Sequence, residues 1–285
     1  MRHLLPLLLA IGCAGPALAD DVIPPVVGGH TWTQHQLDMI KARHPQIAWI
    51  RVEGLGERGG LPILFGSTDA IGAVLKPVAH PGARDGVVMA GRMQIARLPF
   101  MSNSGHRLGT VAIAFRRPAP ANRAVAAKIA ADLSRYTLSA KNAVDPWPYV
   151  SAYRGRTYAQ GLVDHFVAQH PELLVMMIHA TPPSGGANVV IGSNIGRIGK
   201  EADEDDLRVI DKGSTNLEVA DSGDRFETEL PLNDASGKRI GALGLVFMLR
   251  PGDDKDALHT RGRAIRDALA RQIPNSRALF APAKK

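Results

Sequence analysis

The sequence has very little cysteine: Cys13 is its single thiol in 285 residues. Because Cys13 lies close to the N-terminus, the rest of the chain has no disulfide, thiol nucleophile or cysteine-ligated metal site. Long apolar runs are also missing after the first twenty residues, so no membrane-spanning helix is predicted there. Apolar residues nevertheless make up 45% of the chain. That content suits the cores of two domains at roughly 100–150 residues each.

The N-terminal segment has the pattern of a secretory signal peptide. An apolar run from Leu4 to Ile11 follows a basic start, and Ala17-Leu18-Ala19 is an A-x-A cleavage site. We expect cleavage after Ala19, which removes residues 1–19 and gives a periplasmic or secreted protein. Cleavage before Cys13 would give a lipoprotein instead. Ala10 fits the lipoprotein pattern poorly, so the sequence favours plain secretion.

The net charge of +7 is spread along the chain rather than concentrated in a basic helix. No basic segment is interleaved with aromatic residues, and an exported protein rarely meets nucleic acid. We therefore expect no nucleic-acid partner. A mild attraction for anionic ligands or membrane surfaces is all that the charge indicates.

The sequence contains an internal duplication. The segment ARHPQIAWIRVEG, 42–54, recurs as AQHPELLVMMIHA, 168–180, at a spacing of 126 residues. Further along, ARLPFMSNSGHRLGTVAIAF, 96–115, recurs as TELPLNDASGKRIGALGLVF, 228–247, at a spacing of 132. The repeat predicts two domains, at residues 30–140 and 158–282. Residues 141–157 form a linker whose Trp147 and Tyr149 either pack between the domains or are incidental.

Each copy predicts the same order of elements: a helix, two strands, a variable crossover, a strand hairpin and a second helix. The first helices, 33–44 and 158–170, should end at His-Pro, because proline disfavours helical geometry in the residue before it. Apolar, β-branched runs predict the strands, and the turns at 103–105 and 235–237 predict the hairpins. The fold class is therefore α+β: two tandem domains, each an antiparallel sheet flanked by helices.

Gly54, Gly56 and Gly59 match the G-x-G-x-x-G pattern of dinucleotide-binding loops. Such a loop must open a helix, whose N-terminal amides hold the pyrophosphate. Here Leu61 to Phe65 follows, which predicts a strand. We interpret these glycines as a hairpin loop.

The second copy resembles the extracytoplasmic PAS-like sensor domains of the Cache or PDC type. The resemblance rests on a strand ending in IGSNIGRIGK, a short acidic helix DEDDLRVIDKG and a closing hairpin, within 158–252. It covers 36–118 more loosely, because the middle of the first copy lacks the acidic helix. The resemblance implies a small-molecule pocket between the sheet and the crossover segment, and a membrane receptor as a candidate partner.

The resemblance also implies which residues contact the ligand in the second copy. Arg197 is the main candidate, because a guanidinium can hold a carboxylate through two hydrogen bonds, which would suit an anionic ligand. The other candidates are Ser193, Asn194, Lys200, His179 and Asp211. Each has an ordinary structural alternative: Arg197 and Lys200 could pair with nearby acids, and Ser193 or Asn194 could cap a helix. The acidic run 201–206 is interpreted as a solvated first helical turn.

The sequence shows no zinc-protease motif, nucleophile elbow or paired metal-ligand spacing. We therefore predict no catalytic residues, no metal and no cofactor, although a spatially assembled triad leaves no sequence signature. The leading hypothesis is an exported, sensor-type protein that binds a small ligand. The alternatives are an interaction scaffold without a ligand, and a haem- or metal-dependent enzyme with His44 or His170 as ligand.

Overall fold

The computed structural model describes residues 30–55, 63–69, 85–147, 149 and 156–283. The predicted signal peptide, Gly56, Gly59 and most of the first crossover lie outside these residues. Two five-stranded antiparallel sheets form, with the strand orders β2-β1-β5-β4-β3 and β7-β6-β10-β9-β8. The strands are β1 (Ile47–Gly54), β2 (Ile63–Ser67), β3 (Gly86–Ala90), β4 (Met93–Met101), β5 (Arg107–Phe115), β6 (Leu173–Ala180), β7 (Val189–Ser193), β8 (Asn216–Val219), β9 (Arg225–Asn233) and β10 (Arg239–Met248).

Helices pack against each sheet. They are α1 (Trp32–Arg43), α2 (Asn122–Arg135), α3 (Ala140–Ala143), α4 (Tyr158–Gln169), α5 (Glu204–Lys212), α6 (Lys255–Ala270) and α7 (Ser276–Leu279). The predicted α+β class with two sheets is confirmed. We call residues 30–147 the first unit and 156–283 the second unit. None of the helices within the described ranges is long and apolar enough to cross a membrane.

The first helix of each unit ends at His-Pro, as predicted, and begins with the same hydrogen bonds. Thr31 and Thr157 cap α1 and α4 by accepting from the backbone N–H of Gln34 and Gln160. Each threonine hydroxyl also donates to a carbonyl of the second strand, at 2.7 Å to Phe65 and 3.0 Å to Ile191. One side chain thus starts the helix and ties it to the sheet.

The glutamine three residues after each threonine repeats the pattern. The side-chain oxygens of Gln34 and Gln160 accept from the backbone N–H of Ser67 and Ser193, at 2.8 and 3.0 Å. Equivalent side chains therefore make equivalent buried contacts 126 positions apart. The sequence duplication is a duplication of structure.

The end of each unit returns to its beginning. The backbone N–H of Trp32 donates to the Asp145 carbonyl at 2.8 Å, and that of Tyr158 donates to the Ala281 carbonyl at 2.7 Å. The short helices α3 and α7 precede these contacts at matching places. The last segment of each unit therefore pairs beside the start of its first helix.

The two strands on either side of the glycine-rich sequence pair with one another. β1 pairs antiparallel with β2, so a strand follows Gly54, as predicted. A Cβ on Gly54 would overlap the Phe65 ring at 2.0 Å, which explains why glycine is needed there.

Each sheet has its own apolar core on one face. In the first unit it lies between the sheet and α1, α2 and α3, around Ile50, Phe65 and Phe115. In the second it lies between the sheet and α4, α6 and α7, around Phe166, Leu245 and Ile265. The helix α5 contacts the same sheet through β9 and β10.

The two units contact one another. A small cluster joins Tyr136 and Leu138 of the first unit to Val175, Ile195 and Val246 of the second. The Arg225 guanidinium reaches across to donate to the Leu138 carbonyl at 2.8 Å. These contacts form one face of the interface between the units.

Candidate functional site

Arg197 lies at this interface and not at an open pocket. Its side chain is 1% exposed, and one of its amino groups donates to the Asp145 carboxylate at 2.5 Å. The other donates to both oxygens of Asn142. Its guanidinium also lies 5.3 Å from the centre of the Trp32 ring. The guanidinium does bind a carboxylate, but through a single hydrogen bond and within the protein, so ligand contact by Arg197 stays a prediction without support from this geometry.

Aromatic rings of the predicted linker pack around this ion pair. Trp147 stacks on His35 with ring centres 3.9 Å apart, and Tyr149 lies 5.0 Å from Trp147 and 6.0 Å from Trp32. Burial raises the pKa of the Tyr149 phenol. Trp147 and Tyr149 are therefore packing residues of the junction and not an incidental part of a linker.

Three other predicted ligand contacts have structural partners, and a fourth, Asp211, is exposed. The Asn194 side chain accepts from the Met176 N–H at 2.9 Å and donates to the Leu174 carbonyl at 3.1 Å. Ser193 is buried, and its hydroxyl accepts from the Ile195 N–H. Lys200 lies 3.3 Å from Asp145, and Asp211 is exposed on α5. Ser193, Asn194 and Lys200 shape the segment before α5, and contact of any of the four residues with a ligand is not tested by the geometry.

His179 is the predicted contact that lies on the sheet face beneath α5. Its side chain is 7% exposed, and its Nδ1 atom lies 3.5 Å from a carboxylate oxygen of Asp206 on α5, too far for a hydrogen bond. Burial lowers the pKa of the imidazole, against the opposing charges of Asp206 and Asp203. A neutral ring with an unused nitrogen therefore points at the inner side of α5.

Asp206 was interpreted from the sequence as part of a solvated first turn, and that interpretation is wrong for this residue. Asp203 and Glu204 are exposed, but Asp206 is buried. The reason is a capping box: the Asp203 side chain accepts from the Asp206 N–H, and the Asp206 side chain accepts from the Asp203 N–H. The box turns Asp206 toward the sheet.

Two glutamates that the sequence analysis missed face α5 from β9. Successive strand residues point to opposite faces of a sheet. Phe226 and Leu230 lie in the core, so Glu227 and Glu229 lie on the other face. Glu229 is buried and accepts from the Asn216 amide at 3.3 Å. We call His179, Asp206, Asn216, Glu227 and Glu229 the acidic face.

The middle of the acidic face has a glycine of β10, Gly244, beneath it. Gly244 pairs with Met177 on one side and Glu229 on the other. A Cβ on Gly244 would lie 3.8 Å from Oε1 of Glu227 and 3.9 Å from Met177, at ordinary contact distances. The Glu227 carboxylate therefore reaches over the centre of the sheet.

The pKa values of Glu227 and Glu229 are raised above the usual value of a glutamate. Loss of water, reinforced by the charges of Glu218 and Asp206, raises the pKa of Glu227 from 4.5 to about 7. Loss of water and the charge of Glu227 also raise the pKa of Glu229 well above its usual value. Among the described residues, neither glutamate has a basic side chain within ion-pair distance. Such uncompensated groups concentrate at functional sites.

The same positions in the first unit carry a balanced pair. Glu53 and Arg97 stand where the second unit has His179 and Glu229, in the same strand register. Arg97 donates to Glu53 at 2.9 Å, and both side chains are nearly buried. The first unit thus closes this face with its own cation, whereas the second does not.

The signal for these residues was present in the sequence but weak. In RFETELPLN, Arg225, Glu227 and Glu229 alternate with apolar residues, which normally indicates a solvated face. The covering of that face by α5 is visible only in the folded chain.

The histidines considered as metal or haem ligands end helices. His44 and His170 are the C-terminal caps of α1 and α4, and the His170 ring lies 3.3 Å from Glu172. Within the residues that the structure describes, no three histidine, cysteine, aspartate or glutamate side chains are placed to hold a metal ion. Two surface clefts lie away from the acidic face, beside the start of α6 and along β3 and β4.

Comparisons with known proteins give little further guidance. No protein-family model matches the chain, and no curated protein matches it. Among solved structures, the repressor BlcR of Agobacterium tumefaciens is similar over 41% of this chain and 67% of its own, with 12% identity and a TM-score of 0.30. A similarity at this level carries no inference about fold or function, so the site's geometry has to carry the functional interpretation.

Proposed function

We propose that this chain is an exported, sensor-type protein that binds a small ligand on the acidic face of its second unit, beneath α5. Both units would be PAS-like domains of the Cache or PDC type. The order of helix, two strands, crossover and hairpin on which the resemblance rests supports this assignment. The predicted signal peptide supports export.

The observation that carries the proposal is the difference between the two copies of the same sheet face. In the first unit the Glu53–Arg97 pair satisfies the buried charges. In the described part of the second unit, the matching positions hold His179, whose Nδ1 atom has no hydrogen bond, and Glu229, which has no cation in place of Arg97. Glu227 lies beside them on the same face. Buried polar groups are costly unless they are partnered, so a face that keeps them is typical of a site whose partner arrives from outside.

The helix α5 is suited to admit a ligand. Its buried residues are Asp206 and Val209, while Leu207 remains 40% exposed. An element held by so few buried side chains opens at a smaller free-energy cost than a core helix. A ligand could therefore reach the acidic face by displacement of α5, without disturbing the core on the opposite face of the sheet.

The experiment is a search for a ligand carried through purification. The full chain is expressed with its export signal, and the denatured protein is analysed by mass spectrometry for small molecules. Emptied protein is then screened by thermal shift with amines, amino acids, organic acids and purines, because a ligand that binds the folded state raises the melting temperature. We expect a stoichiometric compound or a dose-dependent shift.

Gly244→Val tests the location of the site. The valine should fit the strand but fill the space under the Glu227 carboxylate, and so abolish the shift while the protein stays folded. Glu204→Gln, on the exposed side of α5, is the matched control and should leave the shift unchanged. No carried compound, and no shift from any class, would favour the scaffold alternative. A shift that survives in Gly244→Val would move the site elsewhere.

A further inference from the structure

The charges on the acidic face indicate what kind of ligand it takes. Asp206 of α5 and Glu227 and Glu229 of β9 face the same space, with Glu218 of β8 opposite Glu227. Two basic groups lie near this space. The charge of Arg225 lowers the pKa of Glu227, although its guanidinium donates to Leu138 of the first unit, and Lys200 lies 3.3 Å from Asp145. Among the described side chains, the carboxyl groups of Asp206, Glu227 and Glu229 therefore outnumber the basic groups that act on this space.

The first unit shows which group neutralises the equivalent space. There the residue matching Glu229 is Arg97, and its guanidinium donates to Glu53 at the position of His179. The duplication supplies an internal comparison in which the same backbone holds a positive planar group on the same sheet face. In the second unit that group is missing, while the surrounding framework is kept.

The unused nitrogen of His179 is a second, independent indication. The side chain is more than nine-tenths buried, and its Nδ1 atom has no hydrogen-bond partner. A neutral imidazole accepts a hydrogen bond at one nitrogen. An N–H donor placed between His179 and the glutamates would satisfy it, as the Arg97 guanidinium satisfies Glu53 in the first unit.

We propose that the acidic face binds an organic cation, a molecule with a primary ammonium or guanidinium group, held by Glu227, Glu229 and Asp206 with His179 as a further acceptor. This inference rests on the proposed function and names its ligand class. It is opposite in charge to the anionic ligand suggested by Arg197, whose guanidinium is occupied by Asp145.

Protons take the place of the cation when the site is empty. The raised pKa values of Glu227 and Glu229 mean that the carboxyl groups are wholly or partly protonated near neutral pH. A bound ammonium ion stabilises the carboxylate form, so binding releases protons. Affinity should therefore rise with pH, by up to about tenfold per pH unit for each proton released.

The test compares matched cations and anions on the full chain, emptied of any carried ligand. The probes are butane-1,4-diamine and agmatine, with succinate as the anionic counterpart and calcium and zinc chlorides as the metal arm. Isothermal titration between pH 6 and pH 8, in two buffers of different ionisation enthalpy, measures affinity and proton release together. We expect an amine to bind with proton release, and succinate not to bind.

Glu227→Gln and Glu229→Gln should each weaken amine binding by tenfold or more, with Glu204→Gln as the unchanged control. The decisive variant is the double substitution His179→Glu with Glu229→Arg, which transfers the Glu53–Arg97 pair to the second unit. It should fold, bind no amine and resist heat at least as well as the wild type. A melting temperature at or above that of the wild type, together with an unchanged far-ultraviolet circular dichroism spectrum, shows that it has folded.

The outcomes separate the two proposals. Binding of succinate or of another anion, unaffected by Glu227→Gln, keeps a ligand-binding function and overturns the organic cation. Binding by metal ions alone also overturns it. If none of the probes binds and no compound is carried through purification, both proposals fail.

Discussion

The guanidinium of Arg197 donates to the carboxylate of Asp145 at 2.5 Å, and the pair joins the loop before α5 to the last segment of the first unit. Arg197 is the one non-glycine residue of the described chain with a positive φ, at 68°. Such backbone costs on the order of 1 kcal/mol or more and persists only where its surroundings impose it. The ion pair and the Trp32 ring supply that constraint, so the loop's shape depends on contact with the first unit.

Arg197→Ala should therefore destabilise the protein strongly. It leaves Asp145 buried without its main counter-ion, and breaking a buried pair in this way costs about 3–5 kcal/mol. Lys200→Ala removes the partly exposed cation beside the same carboxylate and should cost at most about 1 kcal/mol. Urea denaturation measures both. Equal, small effects would show that the junction does not depend on Arg197.

Gly241→Ala should also be destabilising, because β10 passes very close to β6 at this point. A Cβ on Gly241 would lie 1.9 Å from the His179 carbonyl oxygen, and the matching Gly109 has the same clash with Glu53. Forcing atoms into packed structure costs about 1–3 kcal/mol or more. Gly161→Ala is the control: its Cβ would meet Ala283 at 3.8 Å on helix α4, and alanine there should stabilise by roughly 0.5–1 kcal/mol. Thermal unfolding of the two variants should shift in opposite directions.

Glu227→Gln should change how stability depends on pH. In the folded protein this carboxyl keeps its proton up to about pH 7, whereas in the unfolded chain it ionises near pH 4.5. The folded state binds more protons in that window, so this group's contribution to stability falls as pH rises from 4.5 to 7 and stays low above it. The full shift corresponds to at most about 3 kcal/mol. The variant should exceed the wild type in stability at pH 8 and lose that advantage near pH 4.5.

The check is denaturation of wild type, Glu227→Gln and Glu204→Gln at several pH values. Comparing variants isolates this carboxyl from Glu229, which acts in the same direction, and from His179, whose lowered pKa acts in the opposite one. A pH-independent difference between wild type and Glu227→Gln would contradict the assignment.

The paired threonine caps predict a simple additive result. Thr157→Val removes both the cap on α4 and the hydrogen bond to Ile191, and Thr31→Val does the same for α1 and Phe65. Each loss should cost about 1–2 kcal/mol. Because the two sites share no partner, the double variant should lose the sum of the two values. A clear departure from additivity would show that the helices are coupled through the interface.

The sequence was a good guide to elements and a poor guide to charged side chains. The doubled pattern predicted the helices ending before Pro45 and Pro171, the hairpins and the two sheets, because periodicity and turn residues act locally. From the sequence, the guanidinium of Arg197 could equally bind a ligand or a carboxylate of the protein. Only the folded chain shows that Asp145, 52 positions earlier, is its partner. Glu227 and Glu229 looked like solvated strand residues because nothing local reveals that α5 covers them.

The return of each unit's last segment to the start of its first helix has a consequence for how the chain could have grown. The start and the end of each unit lie side by side. Duplication of the gene segment therefore adds a complete second unit after the first, and the strand order of the first unit does not change. The same arrangement lets one unit change its buried charges while its neighbour keeps the original set. The two units can then come to bind different classes of ligand through substitutions in one unit, without a change of fold.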